Sequence, residues 1–518
     1  MTDMILLKRE LAFLMKIQTT DLIPVGYGEL VKRYQLKVIP HYRTTFISPT
    51  GRGSRYVHNR QEVVILPQSY ALPNPKDALL QLEFAIKHEG INLEIMTAFF
   101  PNITADEISY FVNITPTGKY SRIIWFLYEF LTDERLELQD MKNVPYVNVL
   151  DPKKYYVSKT IKSKRQAINN NLIGNRGFCP VVRKTSLLAE FEEKDLSGTA
   201  RNIMNSVDPS VLARATNYLY TKETKSSFGI EKIKPDVKRT AKFIALLEDA
   251  STIPHLDKEV LITLQNNIVE EQYKDADYRK TQNYVGELTL LYKHKVHYIS
   301  PKPVDLKALM LNYLACEAAL LNSNIHPVVI AAILSFGFVF LHPFEDGNGR
   351  IHRFIIHYVL SKTHYTPDNI IFPVSAVMLK NIKQYDEVLE AFSKPLLTAL
   401  DDYNLDDQGI LTVLNDSKKH YQYIDFTHYA EYLFRCIETT IREDFAEELE
   451  FIVRYDQTKL AIQNVIDMPD LKIDRIIRCV AQNNGVLGSK MRRTYFHELS
   501  DETIRAIEKV IQKSMLQR

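Results

Sequence analysis

Disulfide frames, membrane spans and nucleotide P-loops are all missing from this sequence. Its 518 residues include only four cysteines, Cys179, Cys316, Cys436 and Cys479, far apart and without a CxxC pair. That excludes a disulfide scaffold or a cysteine zinc site, and reads as buried free thiols in a reducing compartment. No uninterrupted apolar run approaches the ~20 residues that span a bilayer. The opening segment carries Lys8, Arg9 and Glu10 after only a few apolar residues, unlike a secretory leader. A cytoplasmic protein with no membrane partner is the expectation. The formal net charge of +2 favours no class of partner globally. Pro116-Thr117-Gly118-Lys119 is no P-loop, because no glycine stands at the GxxxxGK-Ser/Thr distance and Tyr120 follows the lysine. Internal repeats and low-complexity tracts are absent as well.

What is present is ordinary for a soluble globular chain, 45% hydrophobic and 25% charged, and long enough for two to four domains. Residues 1–165 read as an α+β unit. A helical pattern (Leu6, Leu7, Leu11, Leu14) precedes short extended runs such as Val63 to Leu66. Helical spacing returns from Ala78 to Phe100 and from Ile123 to Leu131, the latter with the sole tryptophan, Trp125. No acidic residue occurs between Lys32 and Arg60, while Lys32, Arg33, Lys37, Arg43, Arg52, Arg55 and Arg60 do, interleaved with Tyr34, Tyr42, Phe46 and Tyr56. The stretch reads first as a solvated basic face whose aromatics fill a small core, and second as a DNA surface on a winged-helix-like fold.

Residues 166–205, rich in Lys, Arg and Asn, read as a connector. Residues 206–402 read as nearly all helix: Val237–Leu247, Lys258–Tyr273, Leu306–Leu321, Pro327–Leu341, Ile351–Leu360 and Leu379–Phe392. One interruption, Tyr284 to Ser300, alternates like a hairpin around Lys293-His294-Lys295. Residues 403–518 are helical again. They end in a piece (Lys472–Ala481, Asn483-Asn484-Gly485, then Lys490, Arg492 and Arg493) that could make a helix-turn-helix, packing onto the core or binding DNA.

The chemistry concentrates in His342 to Arg353, HPFEDGNGRIHR, between the apolar helix of Val329, Ile330, Ile333, Leu334 and Phe338 and the amphipathic run from Ile351 to Leu360. Gly347 and Gly349 open a helix whose unpaired N–H groups and dipole attract an anion. Arg350 and Arg353 share a helix face and can add charge-assisted bonds to phosphate oxygens. Asp346 can hold Mg2+ against those phosphates. A neutral His342 can take a proton from a hydroxyl. Any one of these residues alone would read as a cap or a turn; the ordered set reads as a site.

The segment resembles the signature of the Fic (AMPylator) family, HxFx(D/E)GNGRxxR, with every fixed position matched. The resemblance implies a mainly α fold: an all-helical Fic core with a β-hairpin flap, an α+β N-terminal domain and a helical C-terminal domain, as in long bacterial Fic proteins. It implies transfer of AMP from ATP to a Ser, Thr or Tyr hydroxyl of a target protein, with pyrophosphate leaving. His342 is then the base and Asp346 the Mg2+ ligand. Asn348, with the Gly347 and Gly349 amides, holds oxygens that gain charge. Arg350 and Arg353 hold the leaving phosphates, and Phe344 anchors the loop. The hairpin, through Tyr284, Leu290, Val296 and Tyr298, would cover the nucleotide and dock the target by strand addition. Tyr385 resembles a residue near the adenine pocket. Ser227 to Glu231 matches the first five positions of the inhibitory pattern (S/T)xxxE(G/N), with Lys232 departing at the last. By that likeness Glu231 pairs with Arg353 in the place of the γ-phosphate. Another donor, removal of AMP, a DNA-binding role and a homodimer all stay open.

Overall fold

A computed structural model of the chain describes residues 22–516 except 50, 52, 59, 289–293 and 407. The expected first helix (Leu6 to Leu14), Arg52, Leu290 and the hairpin tip lie outside the described residues. The chain divides into two compact units, each drawn from separated stretches. One takes the residues up to Glu190 with Pro254–Val359 and Lys383–Tyr432; the other takes Phe191–Ile253, Leu360–Ile382 and Leu433–Arg518. The order of segments along the chain is therefore not the order of packing.

The first unit begins with a four-stranded sheet. β1 (Ile23–Val25), β2 (Arg43–Ser48), β3 (Ser54–His58) and β4 (Gln61–Pro67) lie in the order β1-β2-β4-β3. β2 and β4 run parallel, Phe46 opposite Ile65. β3 and β4 form an antiparallel hairpin, and the parallel β2–β4 pairing is one that local sequence alternation could not show. Helices Ala78–His88, Leu93–Phe99, Ala105–Ile114 and Lys119–Thr132 bury Leu82, Phe99, Ile108 and Trp125 in one core. The run expected as one helix from Ala78 to Phe100 breaks at Gly90, whose φ of 103° suits glycine. Part of the basic stretch is paired with carboxylates within this unit. Arg33 pairs with Glu29, Lys37 with Asp401, and Arg43 and Arg55 both with Glu62.

The centre of the same unit is helix Pro327–Leu341. From Val328 to Leu341 only Val339 is not buried. Apolar all round, it must lie inside the fold. Helices Lys258–Ile268 and Pro303–Leu321 come before it in the chain, and Asn348–Lys362 and Ile382–Ala399 after it. One further strand group precedes the hairpin: β5 (Val147–Asn148), β6 (Ile161–Ser163) and β7 (Ile168–Asn170) form a small sheet. β8 (Tyr284–Leu288) and β9 (His294–Ile299) form the expected antiparallel hairpin, with a register shift between Val285 and Gly286.

In the second unit, helix Pro209–Ile230 packs against Val237–Glu248, Val374–Lys380 and Ala446–Gln463. The buried Glu223 carboxylate accepts from the Ser375 N–H (2.8 Å) and its hydroxyl, anchoring the first turn of Val374–Lys380. Helices Asp470–Gln482, Ser489–Tyr495 and Asp501–Ile511 enclose Ile473, Val480, Phe496 and Ile507. The turn between the first two puts Asn484 and Gly485 at positive φ. All four cysteines are free thiols, and Cys179, Cys316 and Cys436 are buried. Among the described residues no helix is long and apolar enough to cross a membrane.

Candidate active site

Helix Pro327–Leu341 ends where the chemistry begins. His342 is its C-cap, with φ 48° and ψ 57°, and its N–H donates to the Phe338 carbonyl. A left-handed residue there is usually glycine or asparagine, and a histidine is strained by about 1 kcal/mol. The conformation turns the chain sharply into the loop. His342 Nδ1 lies 3.2 Å from the Val339 carbonyl oxygen. Donation from Nδ1 leaves Nε2 as the basic nitrogen. Burial pushes the imidazole down to about 4, against the Val339 carbonyl and with the Arg279 charge. It is therefore neutral at pH 7, the state a proton acceptor needs.

The loop closes on itself. Asn348 is buried, and its side chain accepts from the Phe344 N–H (3.0 Å) and donates to the Phe344 carbonyl (2.7 Å). The expectation of Asn348 as a phosphate ligand is narrowed by this. Its carboxamide braces the loop, leaving the second amide hydrogen and the backbone N–H for an anion. Phe344 is buried as expected. Gly347 has φ 90°, and a Cβ there would stand 3.0 Å from Val269 Cγ1. Only glycine fits both restrictions. Gly349 lies in the first turn of helix Asn348–Lys362.

Arg350 and Arg353 are both buried. Arg350 Nη2 donates to Asp346 Oδ1 (2.7 Å) and Nη1 to the Ile268 carbonyl (3.1 Å). The residue expected as a leaving-phosphate clamp thus orients the expected metal ligand. Asp346 Oδ1 also accepts from the Gly347 N–H (2.6 Å), and its side chain is 38% exposed. Among the described residues no three His, Cys, Asp or Glu side chains converge on a metal-sized site. A single oriented carboxylate fits Mg2+, which is commonly held by one or two carboxylates together with substrate phosphates.

Four residues outside the signature hold this loop. Arg279 is buried with three carbonyl partners: Nε donates to His342 (2.8 Å), Nη1 to Thr281 (2.8 Å) and Nη2 to Pro301 (2.6 Å). Its own N–H donates to the Pro343 carbonyl (2.9 Å). Burial lowers the guanidinium to about 10, and it stays charged at pH 7. Arg279 thus ties both ends of the hairpin to the start of the loop. Gln265 Nε2 reaches the Asp346 carbonyl (3.3 Å) and Asp275 Oδ2 (3.2 Å). Asp275 accepts from the Glu345 N–H (3.4 Å), and burial raises it above the usual carboxylate range, with the Glu345 and Asp346 charges adding. Asn283 donates to the Phe344 carbonyl (3.4 Å). Arg279 and Asn283 lie in segments, Asp277-Tyr278-Arg279 and Gln282 to Gly286, that resemble the Fic segment entering the hairpin; no sequence signal marks Gln265 or Asp275.

The hairpin residues divide. Tyr298, expected to dock a target, is buried. Its hydroxyl donates to the Phe340 carbonyl and its ring lies 6.2 Å from the His342 ring. It packs beneath the site, because alternation within β9 turns it inward. Tyr284 is half-buried and bonds His294 (3.1 Å), and Val296 is half-buried. Tyr385 is buried, 6.2 Å from the ring of His352 on the helix that carries Arg350 and Arg353. Ser227 is fully buried in the last turns of helix Pro209–Ile230, and Glu231 is the residue that caps it.

Fold and loop define a helical domain with a buried, preorganised glycine turn beside a neutral histidine. Residues 255–360 match the Fic/DOC family, and form a Fic domain. The chain is 35% identical over 92 residues to the protein adenylyltransferase Fic of Culex quinquefasciatus, covering 18% of this chain and 16% of that protein. The protein of the same name from Drosophila melanogaster is 34% identical over 92 residues, 18% and 17% covered. The chain thus spans about a sixth of the length of the curated relatives it matches. A crystal structure of a Fic domain containing signaling protein from Bacteroides thetaiotaomicron is similar at TM-score 0.36 and 17% identity, over 50% of this chain and 96% of that one. A Fic family protein from Desulfovibrio desulfuricans is similar at 0.37 and 17%, over 60% and 87%.

Proposed function

We propose that the Fic domain transfers AMP from ATP to a hydroxyl of a target protein, and that Glu231 restrains it. The observation that carries this reading is a neutral His342 at one lip of a complete signature loop, in a segment similar to proteins named adenylyltransferases. A hydroxyl attacks the α-phosphorus poorly until its proton is removed, and His342 Nε2 takes that proton as the new P–O bond forms and pyrophosphate leaves. The Gly347 to Gly349 turn offers backbone N–H groups to oxygens whose charge grows. Arg353 neutralises the departing phosphates, and Arg350 holds the Asp346 carboxylate towards Mg2+, which when bound neutralises phosphate charge. The target strand docks on the hairpin: among the described residues β8 and β9 form a two-stranded sheet in which each keeps an unpaired edge, and Val285 is 46% exposed.

The restraint proposed is competition: the Glu231 carboxylate stands in for the γ-phosphate, which must displace it. A desolvated carboxylate–guanidinium pair is strong enough to bias the nucleotide's pose. Intact mass after incubation with ATP and Mg2+ tests both parts. Glu231→Gly should gain AMP about tenfold faster than wild type, and His342→Ala in the same background should gain none. Equal labelling of wild type and Glu231→Gly removes the brake. Loss of AMP from a pre-labelled target, dependent on Glu231, would replace transfer by removal.

A further inference from the structure

The N-terminal α+β part holds a second concavity with a charge pattern that the proposed reaction does not use. It encloses about 530 Å3, between β2 to β4, the end of helix Ala78–His88, the start of helix Lys119–Thr132 and the loops at 148–155 and 183–186. Small-molecule sites fall in this range of roughly 300–1,000 Å3. Its lining has eight lysine and arginine side chains against three carboxylates, Glu62, Glu89 and Asp151. The excess of five is larger than the +2 of the entire chain.

The carboxylates present do not quench that field. Glu62 is shared by Arg43 and Arg55. Buried Glu89 is raised to about 7, so it carries only part of a charge at neutral pH. Five lysines, Lys87, Lys119, Lys153, Lys154 and Lys184, are exposed and make no ion pair among the described residues. They come from four separate segments yet line one concavity. Burial lowers His88 below its ordinary value, and Lys87, Lys154 and Arg43 all push it the same way. Like charges gathered in one concavity repel, and an anion relieves that repulsion.

The occupant can be narrowed further. Single-stranded nucleic acid is held by bases stacked on open aromatic faces. Of the three lining tyrosines, Tyr155 is buried, Tyr120 has the Lys119 ammonium over its ring at 5.4 Å, and the Tyr42 face is covered by the Arg183 guanidinium, 3.6 Å from the ring centre and fixed by Asp425 at 2.9 Å. Recognition is left to charge inside a pocket of limited volume. We infer that this basin binds a small molecule carrying two or more phosphates, at a site separate from the His342–Arg353 loop.

Isothermal titration of the full chain with inorganic tripolyphosphate, at about 150 mM salt to screen distant charges, tests the inference. Lys153→Glu with Lys154→Glu changes two exposed loop residues. It should remove one binding equivalent or weaken it about tenfold or more. The charge-matched Lys509→Glu with Lys513→Glu, also exposed, should bind as wild type does. Circular dichroism and the unfolding transition of both variants establish that they fold. Wild-type stoichiometry and affinity in the basin variant would overturn the site. ADP or pyrophosphate displacing the probe at lower concentration than orthophosphate supports the multiply phosphorylated class, and which of the two competes better tells nucleotide from inorganic source. A single-stranded oligonucleotide displacing it more effectively than either would overturn the small-molecule assignment.

Discussion

Around His342 the cations are guanidinium groups, buried and fixed; across the N-terminal basin five of them are ammonium groups at the surface. Arg279 is held against three carbonyl oxygens and Arg350 against a carboxylate and a carbonyl. None of the five basin lysines has such a partner among the described residues. Planar forks with several donors suit fixed geometry, whereas lysine is a mobile point charge on a flexible stem. In the proposed reading the first region holds atoms in place during a reaction, and the second attracts charge with little demand on orientation. Two positively charged regions of one chain can thus differ in kind, and burial with bonding tells them apart better than charge count.

Acid should separate the regions most strongly. His326 and His342 are lowered to about 4 and His352 to about 3, each mainly by burial. With folded values below the unfolded 6.5, the unfolded chain binds more protons, so stability falls as pH drops from about 6.5 towards 4. In the N-terminal part, His41 at about 4 acts in the same direction, but Glu89 at about 7 acts oppositely, its folded state binding the extra proton between about 4.5 and 7. Unfolding free energy should decline by something on the order of 5–10 kcal/mol over that acid range. Hydrogen exchange should show helix Pro327–Leu341 losing protection before helix Lys119–Thr132. The reverse order would break the comparison.

Arg279→Met comes next. It strands three carbonyls and frees the loop from the hairpin, so stability in urea should drop by about 3 kcal/mol. The proposed AMP transfer should lose roughly a hundredfold in kcat with less change in KM. Arg279→Lys should recover stability only partly, since an ammonium group cannot reproduce the fork. An unchanged kcat in a folded Arg279→Met protein would make the residue purely structural. Gly347→Ala is smaller, about 1–2 kcal/mol, from its positive φ and the contact with Val269. At the far end, Lys153→Glu with Lys154→Glu should leave stability within about 0.5 kcal/mol, because exposed, unpaired lysines hold nothing together.

Much of this was legible along the chain where neighbours in sequence are neighbours in space. Helix Pro327–Leu341 has the bounds its periodicity predicts, and β8 and β9 lie where alternation placed them. Runs split differently where a single residue intervened. Gly90 broke one expected helix, and Leu379–Phe392 became Val374–Lys380 and Ile382–Ala399. Tyr298 was misjudged because alternation names two faces of a strand without saying which is covered.

By itself the sequence determined the loop: which residues, in which order, with glycine where φ must be positive. That information is local, since a helix end, a turn and an i, i+3 pair of arginines all lie within twelve residues. Tertiary structure alone decided what holds the loop and what else the chain carries. Arg279 reaches His342 across 63 positions, and Gln265 reaches Asp346 across 81. The basin collects cations from Arg43 to Lys184. No spacing rule links such residues; they meet only because burying the apolar faces of their helices and strands brings those distant elements together.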